Sequence, residues 1–395
     1  MSGLNKYEQA IVKNADWFML NQTREGYINV DGDEFYAVKG DATLIGHSVS
    51  IRMYANVLTN EQKYADSALA SLQWLAERQD ESGGWKKYAA FTLDAAQCVF
   101  EGFNTYQLIS GDERFKETLN RAAKRMVAGT IDREGNLLLP DIIEIGEYAH
   151  FSLLAWKTTG DDYFRQSGET ILSHIYRNFD EKEGFWLPFD SQEVRSDLMT
   201  RLIRPVLRWT TNKFQLKGRI VARMADHILP FVVGENHPQY SMSLMDAESL
   251  LDTLDGSCEF PELRAQTEAA VNWVKRNCPG PFPGSLAESK PMPKRKNTYP
   301  VRIINDTEMA ALWPTACLLL AYCGMNESRY REEARQTADW MLSVQDEKGG
   351  FYNFQKPDGA TLPLQSGNVN FYASMALWLY NEVYEKSPVK LFTKQ

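Results

Sequence analysis

One phrase returns along this chain at intervals of about 50 residues, which is the mark of a repeat architecture. A helical stretch ends in tryptophan, a few polar residues follow, and then comes a turn made of an acidic residue, glycine and an aromatic. The first copy carries Trp17 and turns at Glu25-Gly26-Tyr27. The second carries Trp74 and turns at Gly83-Gly84-Trp85, and the third turns at Glu134-Gly135-Asn136. A fourth turns at Glu183-Gly184-Phe185-Trp186. A later copy has Trp273 and Pro279-Gly280-Pro281-Phe282, and the last has Trp340 and Gly349-Gly350-Phe351. One wider gap interrupts the series in the middle.

Each turn leads into a second helical stretch with small residues and few charges, expected near 42–57, 93–109, 147–158, 241–254, 307–323 and 368–383. The helices before the turns are amphipathic and more charged, as at 330–343. Such a pair buries the apolar helix completely and wets one face of the other. Links from an apolar helix to the next amphipathic one are short and punctuated by Gly111-Asp112, Gly160-Asp161 and Gly324-Met325-Asn326. There glycine is expected to stop one helix, and the Asp of the first two to cap the next. The expected fold is all-α: an (α/α)6 or (α/α)7 toroid, residues 1–395 forming one domain. Residues 190–239 hold two more helical patterns, near 193–209 and 217–232, which are either an extra pair or an insertion.

The Gln-x-x-x-Gly-Gly-aromatic turns at Gln79 to Trp85 and Gln345 to Phe351 resemble those of the α/α-toroid superfamilies. These include terpenoid cyclases with QW-like repeats, polysaccharide lyases and uronyl hydrolases. The resemblance covers nearly the whole chain and implies the toroid. It does not by itself choose a chemistry, because one fold hosts many.

Bulk properties narrow the classes. Net charge is −9, which argues against nucleic acid as a partner. No run of 18 apolar residues reads as a membrane span, and the polar N-terminus shows no signal peptide. The expected location is cytoplasmic, or secreted or periplasmic if a leader was removed. Five cysteines, none in a CxxC pair, read as buried reduced thiols. No nucleotide-binding or metalloprotease motif is present, so no cofactor and no metal site is expected.

In a toroid the long turns gather on one face, at the N-terminal ends of the inner helices, where helix dipoles favour anions. The longest turn, 279–305, holds the one basic cluster, Lys290, Lys294, Arg295, Lys296 and Arg302, with Tyr299. It reads as a lid for carboxylates of an acidic sugar chain, or as a solvated loop. Near the inner-helix starts stand His47, Asp94, Gln97, Glu147, Tyr148, His150, Asn305, Glu308 and Asn368, with His237 and Tyr240 before another. His174 and His227 fall in outer-type helices and read as structural.

This set fits β-elimination from a uronate-containing poly- or oligosaccharide. Asn, Gln, Arg302 or His47 would neutralise the carboxylate and stabilise an enolate-like intermediate. Tyr148, His150, His237 and Tyr240 are the candidate base and acid, with Tyr299 near the substrate. Trp186, with Trp85, Tyr88, Phe185 and Phe351, would stack on sugar rings or pack between repeats. The nearest alternative is a glycoside hydrolase using Asp94 with Glu147 or Glu308. A terpenoid cyclase-like enzyme is another, although Asp31-Gly32-Asp33-Glu34 departs from the DxDD pattern.

Overall fold

The computed structural model describes residues 3–30, 40–88, 92–138, 145–177, 179–180, 185–186, 261–287 and 309–385. Among them are eleven α-helices in two layers. The outer helices are α1 (Lys6–Leu20), α3 (Gln62–Ala76), α5 (Lys116–Thr130), α7 (Asp162–Arg177), α8 (Pro261–Asn277) and α10 (Arg331–Ser343). The inner ones are α2 (Ala42–Thr59), α4 (Thr92–Ser110), α6 (Ile145–Thr159), α9 (Leu312–Met325) and α11 (Gly367–Val383). The chain is an all-α toroid.

Burial follows sequence pattern. Every residue of α2 from Ala42 to Ala55 is buried, as is almost all of α9, which carries no charge. Outer helices bury one stripe: Leu119, Ala122, Ala123, Met126 and Val127 on α5, and Phe164, Gly168, Ile171, Leu172 and Ile175 on α7. That spacing of three and four is the amphipathic period. The recurring tryptophans Trp17, Trp74, Trp273 and Trp340, at the ends of outer helices, are all buried.

The repeated turn is a stitch between neighbouring repeats. The Nε2 of Gln22 donates to the carbonyl of Gly26 in its own turn and to that of Ser67 on α3. Gln79 does the same to Gly83 and to Thr118 on α5. Gln345 does the same to Gly349 and to Ala10 on α1. Three residues further along each receiving helix, the turn glycine presses on backbone. A Cβ on Gly26 would lie 2.6 Å from the Ala70 oxygen, one on Gly83 would collide with the Arg121 carbonyl, and one on Gly349 with that of Lys13. These glycines have positive φ, so both the turn and the contact demand glycine.

Because the last turn docks on α1 as earlier turns dock on α3 and α5, the ring closes on itself. The inner layer agrees: α11 packs on α2, and α1 on α11. Asn14 donates to Asn370 at 2.8 Å and accepts from Ser374 at 2.8 Å, both in the core. At the other end of the same helices Asn381 donates to Glu8. Two short antiparallel ribbons and a 3-10 turn at Ser328–Tyr330 complete the described elements; the ribbons are β1 (Phe179–Asp180) with β2 (Phe185–Trp186), and β3 (Ala310–Ala311) with β4 (Phe354–Gln355).

Several boundaries differ from expectation. The helix expected from 307 begins at Leu312, because Ala310 and Ala311 pair with β4. Gly324 lies inside α9; the stop is Asn326, left-handed at φ 48°. Asn60 ends α2 in the same way, at φ 56°. Gly111 and Gly160 are left-handed stops as expected. Cys278, Cys317 and Cys323 are buried thiols. The expected helices within 190–254, and with them the choice between six and seven pairs, lie outside the described residues. So do Cys258, His227 and the stretch from Asp31 to Glu34. No described helix is long and apolar enough to cross a membrane.

Candidate active site at the inner-helix starts

The inner wall runs α9–α11–α2–α4–α6, each packed on the next. Its beginnings share one end of the ring, so residues far apart in order meet there. His47 is the hub. Its ring stacks on Phe371 of α11, centroids 3.9 Å apart and 10° from parallel, and meets Tyr372 edge-on at 5.6 Å. Trp313, at the start of α9, lies over the other side of Tyr372 at 6.4 Å. Asn368 stands in the first turn of α11 beside His47, and its amide partly offsets the effect of burial on the imidazole. Burial dominates and lowers the ring to about 3, so His47 is neutral at any ordinary pH.

This wall holds buried polar atoms with no hydrogen-bond partner among the described residues: His47 Nδ1, Thr43 Oγ1, Asn368 Oδ1 and Trp313 Nε1. Each such atom costs about 1–3 kcal/mol, so a group of them marks a place built for something else.

On the α4 side, α2 and α4 touch backbone to backbone: a Cβ on Gly102 would lie 2.6 Å from the Gly46 oxygen. That contact brings Glu101 against Ser50, whose single hydroxyl proton can go either to the Glu101 carboxylate or to Thr105 Oγ1 at 3.3 Å. The Glu101 residue as a whole is half-buried, but its carboxyl lies deep among protein atoms, and desolvation by that burial pushes it up to about 8, against which the Ser50 bond is a smaller opposing effect. A carboxyl in such a setting is protonated near neutrality and able to donate. Asp94 and Gln97 belong to the same helix, seven and four residues earlier.

Other expected site residues fall as follows. Glu147 lies in the first turn of α6. Tyr148 is fully buried and His150 half-buried with its ring against Phe151. Two residues apart on a helix means opposite faces, so the structure does not bring Tyr148 and His150 together. Trp186 sits in β2, opposite Phe179. His237, Tyr240, Tyr299, Arg302, Asn305 and Glu308 lie outside the described residues, as do the lysines and Arg295 of the basic turn. His174 hydrogen-bonds the Gly135 carbonyl at 3.0 Å, a repeat-stitching contact. Trp85 and Phe351 are fully buried, with Trp85 Nε1 donating to Leu75, so both pack between repeats.

At α2 the anion at the helix start comes from the chain itself. The Asp41 carboxylate already caps it, accepting from the amides of Thr43 and Leu44. The one cation on this part of the inner wall, Arg52, is turned outward: its guanidinium is bonded to Ser48, Ser67 and Ser71 between α2 and α3. Among the described residues no group of three His, Cys, Asp or Glu side chains is placed to hold a metal ion.

Glu101 and Trp313 are absent from the sequence-derived set. Glu101 is the only charged residue between Asp94 and Asp112, a signal that was open to reading.

No protein-family model matches the sequence, and no curated protein matches it. Solved structures do share its fold over nearly the whole chain. A polysaccharide lyase is 12% identical, with a TM-score of 0.58 over 98% of this chain and 99% of its own. An unsaturated glucuronyl hydrolase specific for heparin is 11% identical, with a TM-score of 0.63 over 98% and 99%. The cellobiose 2-epimerase from Bacillus thermoamylovorans B4167 is 10% identical, with a TM-score of 0.63 over 94% and 99%. At these identities the likeness is one of fold.

Proposed function

We propose that this chain, working as one toroid over residues 1–395, is a carbohydrate-active enzyme that cleaves an acidic, uronate-containing poly- or oligosaccharide by β-elimination. The observation that carries the reading is Glu101: a carboxyl held protonated near neutrality, midway along α4, where the Gly46–Gly102 backbone contact sets it against Ser50. Three of the fold neighbours, a lyase, a uronyl hydrolase and an epimerase, concern sugars by name and lend the reading support, although a type II terpene cyclase shares the fold as well.

In the reaction a base removes the proton beside the uronate carboxylate. The electron pair forms a carbon–carbon double bond, and the glycosidic bond to the leaving sugar breaks. Glu101 delivers a proton to the departing oxygen. Gln97 hydrogen-bonds the carboxylate as charge builds on it. His150, His237 and Tyr240 are the candidate bases, and Tyr299 and Arg302 the candidate carboxylate clamp.

Hydrolysis is the second reading, because a protonated Glu101 is also what a glycosidase needs as its acid, and Asp94 and Glu147 begin adjacent inner helices. The test is incubation with glucuronan, alginate and related polymers while following ultraviolet absorbance and reducing ends. Elimination raises both. New ends without absorbance favour hydrolysis, and neither signal across the panel overturns the enzymatic reading.

A further inference from the structure

We infer that the α2–α9–α11 wall is a subsite for a neutral sugar unit, made of Thr43, His47, Asn368, Tyr372 and Trp313. The inference rests on the reading of this basin as a sugar site and adds which kind of unit stands against this wall. His47 is 2% exposed and Thr43 1% exposed, yet among the described residues His47 Nδ1 and Thr43 Oγ1 have no partner, and neither do Asn368 Oδ1 and Trp313 Nε1. They come from three inner helices that the ring brings together. Interleaved with them are the near-parallel faces of Trp313 and Tyr372, 26° apart.

A pyranose has the matching chemistry: an apolar face for aromatic rings and a rim of hydroxyls that donate and accept. The wall lacks what a carboxylate would need. Its imidazole is neutral. The one cation of α2, Arg52, is committed to three serines on the far side of that helix, and the α2 start is capped by Asp41. Among the described residues, the side chains of α2, α9 and α11 at this wall offer an acidic unit no compensating positive charge. The substrate that follows is a chain in which a neutral sugar adjoins the uronate.

The experiment is isothermal titration of the full chain with D-glucose, D-mannose, cellobiose and D-glucuronate at pH 5.5 and 7.5. At least one neutral sugar is expected to bind, with a Kd on the order of 1 mM, more tightly than glucuronate and equally at both pH values. Trp313→Ala, Asn368→Leu and His47→Phe, the last keeping the stack on Phe371, are each expected to weaken it roughly tenfold. The exposed variant Lys116→Ala should leave it unchanged.

Glucuronate binding in preference to all neutral sugars overturns the inference. So does neutral-sugar binding that ignores all three variants, or an absence of neutral-sugar binding by the unaltered chain, a measurement that needs no variant to fold. The polymer assay separates the two proposals. Cleavage without neutral-sugar binding sinks the subsite alone, and neutral-sugar binding without any cleavage sinks the catalytic reading alone.

Discussion

The Gly46 carbonyl occupies the space that a Cβ on Gly102 would need, with 2.6 Å between them. This backbone contact sets the spacing of α2 and α4 and holds Glu101 beside Ser50.

Gly102→Ala forces the two helices apart. The expected loss of stability is about 1–3 kcal/mol by chemical denaturation, the usual cost of overpacking a tight contact. Because Glu101 moves with its helix, turnover on any substrate found should drop about tenfold or more, since small misplacements of a reacting group are expensive. A variant as stable and active as the parent would show that the contact does not set the site.

Ring closure makes a second prediction, with an internal control. Gly349 and Gly359 both have positive φ, 95° and 88°, but a Cβ on Gly349 would strike the Lys13 carbonyl whereas one on Gly359 meets nothing. Gly359→Ala should cost about 1–2 kcal/mol, the left-handed penalty alone. Gly349→Ala should cost clearly more and release α1, seen as faster proteolysis near residues 3–30. Equal losses from both would mean that α1 is not held by the last turn.

His47 predicts an acid limb of stability. Its ordinary value is 6.5 and its folded value about 3. Between those two pH values the unfolded chain binds a proton that the folded chain refuses. Its contribution is therefore intact above about 6.5 and declines as pH falls toward 3, by about 1.4 kcal/mol per pH unit at most. His47→Phe should flatten that part of the curve in denaturation measured from pH 7 to 4. A slope unchanged by the substitution would show that the imidazole is not buried as described.

Arg52 is a buried cation at 0% exposure whose partners are all neutral, and burial lowers it to about 9, still protonated at neutral pH. Arg52→Ala opens a cavity and strips hydrogen bonds from Ser48, Ser67 and Ser71. A loss of about 3 kcal/mol is expected by denaturation, with little change in the pH dependence of activity because the group points away from the basin.

How much of this was open to a reader of the sequence depends on what each feature rests on. The turns were legible because glycine there answers to two demands at once, positive φ and contact with the next helix, as at Gly83 and Gly349. Apolar inner helices were legible from burial on all sides, as in α2 and α9. The start of α9 was not, because Ala310 and Ala311 are as compatible with helix as with the ribbon that long-range pairing to Phe354 and Gln355 imposes. At the site, His47 and Asn368 were found by position near helix starts. Glu101 was missed because it lies one turn below Gln97, deeper in the ring, where only the Gly46–Gly102 contact reveals its setting. Tyr148 and His150 looked like a pair in the linear order, and helical period divides them.

The most direct test of the account is the pH–rate profile of the unaltered chain and of Glu101→Gln on the polymer that is cleaved. With a carboxyl raised to about 8 acting as the acid, the unaltered chain should lose activity as pH climbs through about 8. Glu101→Gln should be slower by about a hundredfold or more, with that limb gone. An alkaline limb and a rate that survive the substitution unchanged would contradict it.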